Sequence, residues 1–195
     1  MLFLRKKWFT SVEQAERDPL AVRRLQLWQM DLSPYVGRLA QFTNLRSLDI
    51  RWTGTEVIPE ELARLAQLRT LTILNVPLNE FPAWICGMIG LRELTVRGTE
   101  IRIIPAEIGR RMNLRKLDLS NANIEVLPVD LADLRNLRDF SASANRLVSI
   151  PDEMAALPRL KTLGLVQNLF SPPERERLHA KYEKNLLFRR CRISC

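Results

Sequence analysis

Five consecutive segments of the chain repeat one pattern with a period of 23 residues. Each segment begins with a leucine and carries a proline at the same later position. The first leucines are Leu45, Leu68, Leu91, Leu114 and Leu137, and the prolines are Pro59, Pro82, Pro105, Pro128 and Pro151. A divergent copy begins at Val22, and a truncated one begins at Leu160. A period of this length predicts a solenoid, in which each unit buries its leucines against its neighbours.

Two spacings alternate within each repeat. Apolar residues first lie two apart, as in Leu48 and Ile50, which is typical of a strand with one buried face. After the proline they lie three apart, as in Leu62 and Leu65, which is typical of a short helix. The sequence therefore predicts seven parallel strands, centred near Leu25–Leu27, Leu48–Ile50, Leu71–Ile73, Leu94–Val96, Leu117–Leu119, Phe140–Ala142 and Leu163–Leu165.

The repeated pattern, LxxLxLxxNxLxxLPxxLxxLxx, resembles that of the leucine-rich repeat family. The resemblance implies an α/β fold, a right-handed solenoid or horseshoe with a parallel concave sheet and short convex helices. It covers residues 22–170. The flanking segments, 1–21 and 171–195, resemble the N-terminal and C-terminal caps of bacterial members, with Ser11 as the N-cap of a first short helix. We expect one domain over 1–195, a whole small protein whose C-terminal cap is a basic helix followed by a short strand.

The family pattern has an asparagine eight residues after each first leucine. These positions hold Met30, Thr53, Val76, Thr99, Ala122, Asn145 and Asn168, so only the last two match. We expect the threonines to replace part of the asparagine's hydrogen bonding and the N-terminal half to be the more irregular one.

Composition indicates whether the protein spans a membrane, is secreted or stays in the cytoplasm. Leucine occupies 33 of 195 positions, yet no apolar run approaches the ~20 residues of a membrane span. The N-terminus lacks the order of charged and apolar residues that marks a secretion signal. Cys86, Cys191 and Cys195 form no CxxC pair, which favours reduced thiols in the cytoplasm.

The predicted concave face differs between its two halves. We number the first leucine of each repeat as position zero and call each repeat a rung of the solenoid. Positions four, six and seven carry large side chains in the first four rungs and mostly small ones in the last three. Tryptophan and arginine are the residue types most enriched at binding hot spots. The candidate partner-binding residues, here called the tryptophan–arginine patch, are Trp28, Asp49, Arg51, Trp52, Leu74 and Arg97. The alternative is that Trp28 and Trp52 cover an imperfect N-terminal cap.

Position one is basic in every repeat and accounts for much of the net charge of +8. We call this series the basic ladder; it consists of Arg23, Arg46, Arg69, Arg92, Arg115, Arg138 and Lys161. Rungs ~4.8 Å apart place these charges where they could follow a phosphate backbone. Acidic residues are interleaved, however, and no aromatic series is present to stack bases. The sequence therefore disfavours nucleic acid as the partner.

The sequence offers no constellation for catalysis. His179 is the only histidine and is expected to be a solvated residue of the cap helix. One histidine and three separated cysteines supply neither a zinc site nor a nucleophile–histidine triad. Asp49 and Asp118 lie three rungs apart, roughly 14 Å at ~4.8 Å per rung, too far for a pair of catalytic carboxylates. We expect no enzymatic activity, no cofactor and no metal.

These observations predict a non-catalytic protein–protein interaction module, bacterial, cytoplasmic and monomeric, that binds an acidic protein partner of unknown identity on its concave face. Three alternatives remain open at this point. The chain could be a secreted or injected bacterial effector of the same fold, a nucleic-acid binder that uses the basic ladder, or a structural subunit of a permanent assembly.

Overall fold

The structure is a computed structural model that describes residues 8–110, 113–184 and 192–194. Its sheet is parallel, and its eight strands follow one another in chain order. They are β1 (Arg24–Trp28), β2 (Ser47–Arg51), β3 (Thr70–Leu74), β4 (Glu93–Arg97), β5 (Lys116–Asp118), β6 (Asp139–Ser141), β7 (Thr162–Gly164) and β8 (Arg192–Ser194). The first seven confirm the predicted solenoid strands. The eighth lies where the sequence predicted a closing strand.

The register of the sheet reproduces the sequence period. Leu48 of β2 lies beside Leu25 of β1 and Leu71 of β3, so residues 23 apart stack directly on one another. Positions three and five are buried along the solenoid strands, and their side chains form one continuous core. Position six and most position-two and position-four residues point to the other side, here called the open face of the sheet.

Short 3-10 helices, rather than α-helices, connect the successive strands from β1 to β7. The five that follow the repeat prolines are Glu60–Arg64, Ala83–Gly87, Ala106–Gly109, Val129–Asp133 and Asp152–Ala156. Each proline lies at the N-cap, and its carbonyl accepts the first hydrogen bond, as from Leu62 N to Pro59 O at 3.3 Å. With three residues per turn, a 3-10 helix aligns apolar residues three apart, which explains why Leu62 and Leu65 are both buried.

The residue at position eight determines whether a rung has hydrogen bonds from its side chain to the backbone of the turn. Asn145 donates from Nδ2 to Leu119 O and Ala142 O, both at 2.9 Å, and its Oδ1 accepts from Ile124 N at 3.1 Å. The threonines do not replace these bonds, contrary to the expectation. Within the described chain, the buried hydroxyls of Thr53 and Thr99 have no hydrogen-bond partner. A threonine side chain is too short to reach the carbonyls that an asparagine spans.

The N-terminal half is not the irregular one, which corrects a second expectation. The strands β1 to β4 have five residues each, whereas β5 to β7 have three. At β5 the cause is local, because the Ser120 N–H donates to Asp118 Oδ1 at 3.1 Å instead of extending the ladder. The neighbouring Gly98 N–H then reaches Asn121 O at 2.7 Å.

The N-terminal segment covers the edge of β1. Phe9 forms a parallel bridge with Leu25, and the helix α1 (Val12–Glu16) follows it. The Ser11 side chain accepts from Gln14 N at 3.1 Å, as predicted for an N-cap. Arg38 of the next turn donates to both oxygens of Glu16, at 2.9 and 2.5 Å, and holds the pKa of this carboxyl below its usual range.

The helix α2 (Pro172–Lys184) is attached to the last complete repeat through Asp152. Arg177 donates to both oxygens of Glu174, at 2.7 and 2.6 Å, and also pairs with Asp152. Lys181 Nζ lies 2.6 Å from Asp152 Oδ1. Leu178 and Tyr182 are buried against the core. The helix therefore adds an apolar cover and a set of ion pairs at this end.

We expect the stabilisation by Asp152 to depend on pH. Lys181 first, and then Arg177, lower the pKa of Asp152 below its usual value. A folded-state pKa below the unfolded one gives a stabilisation that is complete above pH ~4 and disappears as the pH falls through the folded pKa. Asp152→Asn should therefore lower the free energy of unfolding at pH 7, and this difference from the parent should diminish as the pH falls through the folded-state pKa of Asp152. Urea titrations across this range measure it.

The matched control for this prediction is Asp133→Asn. Asp133 is exposed and has no ion pair among the residues with described positions. A difference between Asp152→Asn and the parent that stays constant with pH would contradict the prediction.

Candidate functional site

Four side chains of the tryptophan–arginine patch form one row across the open face. Position six of the first four repeats carries Trp28, Arg51, Leu74 and Arg97, and the register aligns each with the next. Neighbouring strands are ~4.8 Å apart, so these side chains lie side by side. Trp28 is 60% exposed. The row thus alternates apolar and cationic groups on a rigid sheet.

Asp49 fixes the position of Arg51. Arg51 Nε donates to Asp49 Oδ1 and Arg51 Nη2 donates to Asp49 Oδ2, both at 2.7 Å, which raises the pKa of Arg51. Asp49 itself is buried, at 7% exposure. It therefore lies beneath the surface as a support, whereas 39% of the Arg51 side chain remains exposed. A bidentate pair of this kind restricts the guanidinium to one orientation.

Trp52 lies one residue beyond the end of β2 in a left-handed backbone conformation, with φ of 54°. Its N–H donates to Leu74 O at 2.9 Å, which anchors the turn. Its ring is 54% exposed. A positive φ is unfavourable for a bulky residue, and the neighbouring strand compensates for it here. The turn holds the indole beside the row of position six.

The same turn recurs at position seven of every rung, a feature that the sequence analysis missed. The residues with positive φ there are Gln29, Trp52, Asn75, Gly98, Asn121, Ala144 and Gln167. Only the glycine and the two asparagines are residue types that signal this conformation. The turn is therefore imposed by the stacking of the rungs and not by the local sequence.

Arg97, the last member of the row, meets a polar network that the sequence analysis also missed. Arg97 Nη1 lies 3.7 Å from Asp118 Oδ2. Asp118 Oδ1 accepts from Ser120 Oγ at 2.7 Å, and Ser120 Oγ lies 2.8 Å from Ser141 Oγ. An aspartate two residues before a serine, with a serine at position four of the next rung, is the signal that could have indicated this network. The polar side chains of this network thus bond to one another in the C-terminal half of the open face.

The exposure of the two tryptophans bears on the alternative that they cover the N-terminal cap. Both rings are more than half exposed, and Phe9 covers the β1 edge instead. Trp8 belongs to that edge as well, with the Arg24 guanidinium 5.4 Å from the centre of its ring. Among the residues that the structure describes, none covers Trp28 and Trp52, so both can contact another molecule.

The basic ladder lies at the start of the strands and is only partly available. Arg69 Nη1 donates to Gly90 O at 2.7 Å, and Arg23 Nη1 donates to Asn44 O at 3.3 Å. Acidic residues flank the ladder at position two, where Glu93 and Asp139 follow Arg92 and Arg138 directly. Acidic side chains thus interrupt the basic ladder, which does not form a continuous basic stripe.

The remaining reactive side chains do not assemble in the described part of the chain. No group of histidine, cysteine, aspartate and glutamate there could hold a metal ion. Cys86 is a buried free thiol whose pKa is raised to about 11 by burial; Cys191 and Cys195 lie outside the described residues. No helix in this part has the length and apolar character to cross a membrane.

Comparison with known proteins agrees with the repeat pattern and the fold. The leucine rich repeat family pattern matches residues 112–170. A leucine-rich repeat protein of Leptospira interrogans has 29% sequence identity and a TM-score of 0.73 over 80% of this chain. Residues 112–170 thus carry the leucine rich repeat pattern, and the fold of the chain is similar to that of a leucine-rich repeat protein.

Two further structures share the leucine-rich repeat fold. The plant peptide hormone receptor RGFR1 in complex with RGF2 has 25% identity and a TM-score of 0.63 over 75% of the chain. Internalin C2 from Listeria monocytogenes has 21% identity and a TM-score of 0.65 over 80% of it. The chain spans 38%, 24% and 66% of the Leptospira, plant and Listeria chains, respectively. A search of curated proteins found no match.

Proposed function

We propose that this leucine-rich repeat protein is a non-catalytic interaction module that binds a protein partner through the tryptophan–arginine patch. The observation that carries the proposal is the pair of exposed rings, Trp28 and Trp52, beside an arginine already oriented by Asp49. Large rigid apolar groups next to an ordered guanidinium lose little conformational freedom on binding. The plant receptor, which shares the fold, was solved in complex with RGF2.

The patch favours a partner that presents apolar side chains together with a carboxylate. Arg51 and Arg97 each keep a substantial exposed part, 39% and 46% of the side chain, although both contact acids of the sheet. These internal acids reduce the net positive charge of the patch. The apolar contact with the tryptophans should therefore dominate the affinity, and the arginines should contribute orientation.

We further propose that the protein acts in the bacterial cytoplasm as a monomer. The buried free thiol of Cys86 is consistent with a reducing compartment, and a net charge of +8 opposes self-association. An exported effector of the same fold would use the same patch, so cell fractionation of the native host distinguishes the two settings.

The test is capture of the partner from the native host, followed by calorimetric titration of variants. Trp52→Ala should weaken the complex by about 2 kcal/mol, roughly thirtyfold in Kd, because it removes a central aromatic contact. Arg51→Ala should cause a smaller loss, because the arginines contribute mainly orientation.

Two controls accompany this measurement. Val166→Ala changes position six, the position of Arg51, in the repeat of β7, where Val166 is 39% exposed, and should leave the affinity unchanged. Arg138→Glu on the basic ladder should have a small effect, since salt screens an edge charge. A large effect of Arg138→Glu, no effect of Trp52→Ala and a steep salt dependence would contradict the proposal and favour nucleic-acid binding.

A further inference from the structure

A pocket of about 460 Å³ lies between the second and third repeats, away from the tryptophan–arginine patch. Its walls are mostly apolar and include Val57, Leu78, Phe81 and Trp84. Val57 is 72% exposed, and Trp84 is partly buried against the core. None of the six patch residues lines this pocket. It is therefore a separate surface, formed after the strands where the chain approaches the 3-10 helices.

Three carboxylates accompany these apolar walls. Glu56, Glu60 and Glu80 all line the pocket. No hydrogen bond or ion pair of their side chains is found within residues 8–110, 113–184 and 192–194. The acids of the open face differ, because Asp49 and Asp118 already contact arginines. The three glutamates do not converge as metal ligands either, since no such group occurs in the described chain.

The combination specifies the chemistry of an occupant. Three uncompensated negative charges favour a cation, and the apolar walls favour a group that reaches the pocket through methylenes. An arginine side chain meets both requirements, because its stem is apolar and its planar guanidinium pairs with carboxylates and stacks on an aromatic ring such as Trp84. This surface is acidic on a chain whose net charge is +8. That net charge opposes the approach of a second copy, so the arginine belongs to a different protein.

We propose that this pocket is a second docking site, which receives an arginine side chain from an extended segment of a partner protein. The site is independent of the patch on the open face. A partner that contacts both surfaces would wrap around the edge of the second and third repeats. A partner with only one of the two features would bind at one surface alone.

The experiment titrates the full chain with the peptide acetyl-Gly-Leu-Arg-Leu-Gly-amide and follows the indole N–H of Trp84 by NMR. Trp84→Phe assigns this signal among the four tryptophans. The peptide should shift the Trp84 signal, and the same peptide with citrulline, which has a similar shape without the charge, should not. Glu80→Gln or Glu56→Gln should weaken binding about fivefold each, as expected for a partly exposed ion pair.

The matched control is Glu125→Gln, because Glu125 occupies in the fifth rung the position that Glu56 occupies in the second. It is exposed, does not line the pocket and should leave binding unchanged. Trp52→Ala should also leave peptide binding unchanged, which separates this site from the proposed function.

Four outcomes would overturn the inference. They are an unchanged Trp84 signal at millimolar peptide, equal binding of the citrulline peptide, an equal loss in Glu125→Gln, and a Trp84 shift that depends on protein concentration without peptide. The last would identify a second copy of the chain as the occupant.

Discussion

Removal of residues 174–195 should abolish cooperative unfolding and cause aggregation. The deletion removes most of α2 together with β8, so it exposes the buried side chains beside Leu163 and Leu165 and frees the edge of β7. A solenoid has no other element to cover its last rung, and an unpaired parallel edge is a template for association. Size-exclusion chromatography and thermal unfolding followed by circular dichroism measure both effects.

A point substitution gives a graded form of the same test. Leu178→Ala in α2 should lower the free energy of unfolding by roughly 2–5 kcal/mol, the usual range for truncation of a buried leucine. Arg175→Ala changes an exposed side chain of the same helix and should be nearly neutral. A truncated chain that stays monomeric with an unchanged Tm would show that 174–195 do not act as the cap.

Asn145→Ala should destabilise the protein by about 3 kcal/mol. The substitution leaves Leu119 O, Ala142 O and Ile124 N without their side-chain partner in the core. Each buried polar group left unpaired costs roughly 1–3 kcal/mol, and partial relaxation of the turn reduces the total. Guanidinium-induced unfolding measures the difference.

The matched variant at the same repeat position is Thr99→Val. The Thr99 hydroxyl is buried and has no partner in the described chain, so replacing it with a methyl group should stabilise the protein by about 1 kcal/mol. If Thr99→Val were destabilising, or if Asn145→Ala had no effect, the division of the solenoid into bonded and unbonded rungs would be wrong.

The sequence predicts the fold well because the fold is set by periodicity. The position of each solenoid strand follows from one leucine and the 23-residue repeat, and the register then follows without further information. The short helices also have a sequence signal in the spacing of three, although the sequence analysis did not distinguish the 3-10 type, which this spacing suits. The expectation for Thr53 and Thr99 was wrong because the residue type predicts a hydroxyl group. It does not predict whether this hydroxyl lies within hydrogen-bond distance of a backbone carbonyl.

The candidate site was predictable in composition but not in detail. The row of Trp28, Arg51, Leu74 and Arg97 follows from the repeat, whereas the burial of Asp49 depends on how closely Arg51 folds back over it. The pocket beside Trp84 combines residues from two repeats at positions that the pattern leaves variable. Only the packing of the two loops brings its carboxylates and apolar walls to one place.

The position-eight asparagines occur only in the last two repeats, so the two ends of the solenoid differ in the hydrogen bonds between rungs. Asn145 and Asn168 tie together rungs near the C-terminus, whereas the rungs with Thr53 and Thr99 lack such ties. In a linear array, local opening starts where the coupling between neighbouring units is weakest. Both proposed contact surfaces lie in the part of the sheet that lacks these side-chain ties, although its strands are longer. A bound partner would add contacts across these rungs and oppose their local opening. Partner binding and the free energy of unfolding are therefore thermodynamically linked.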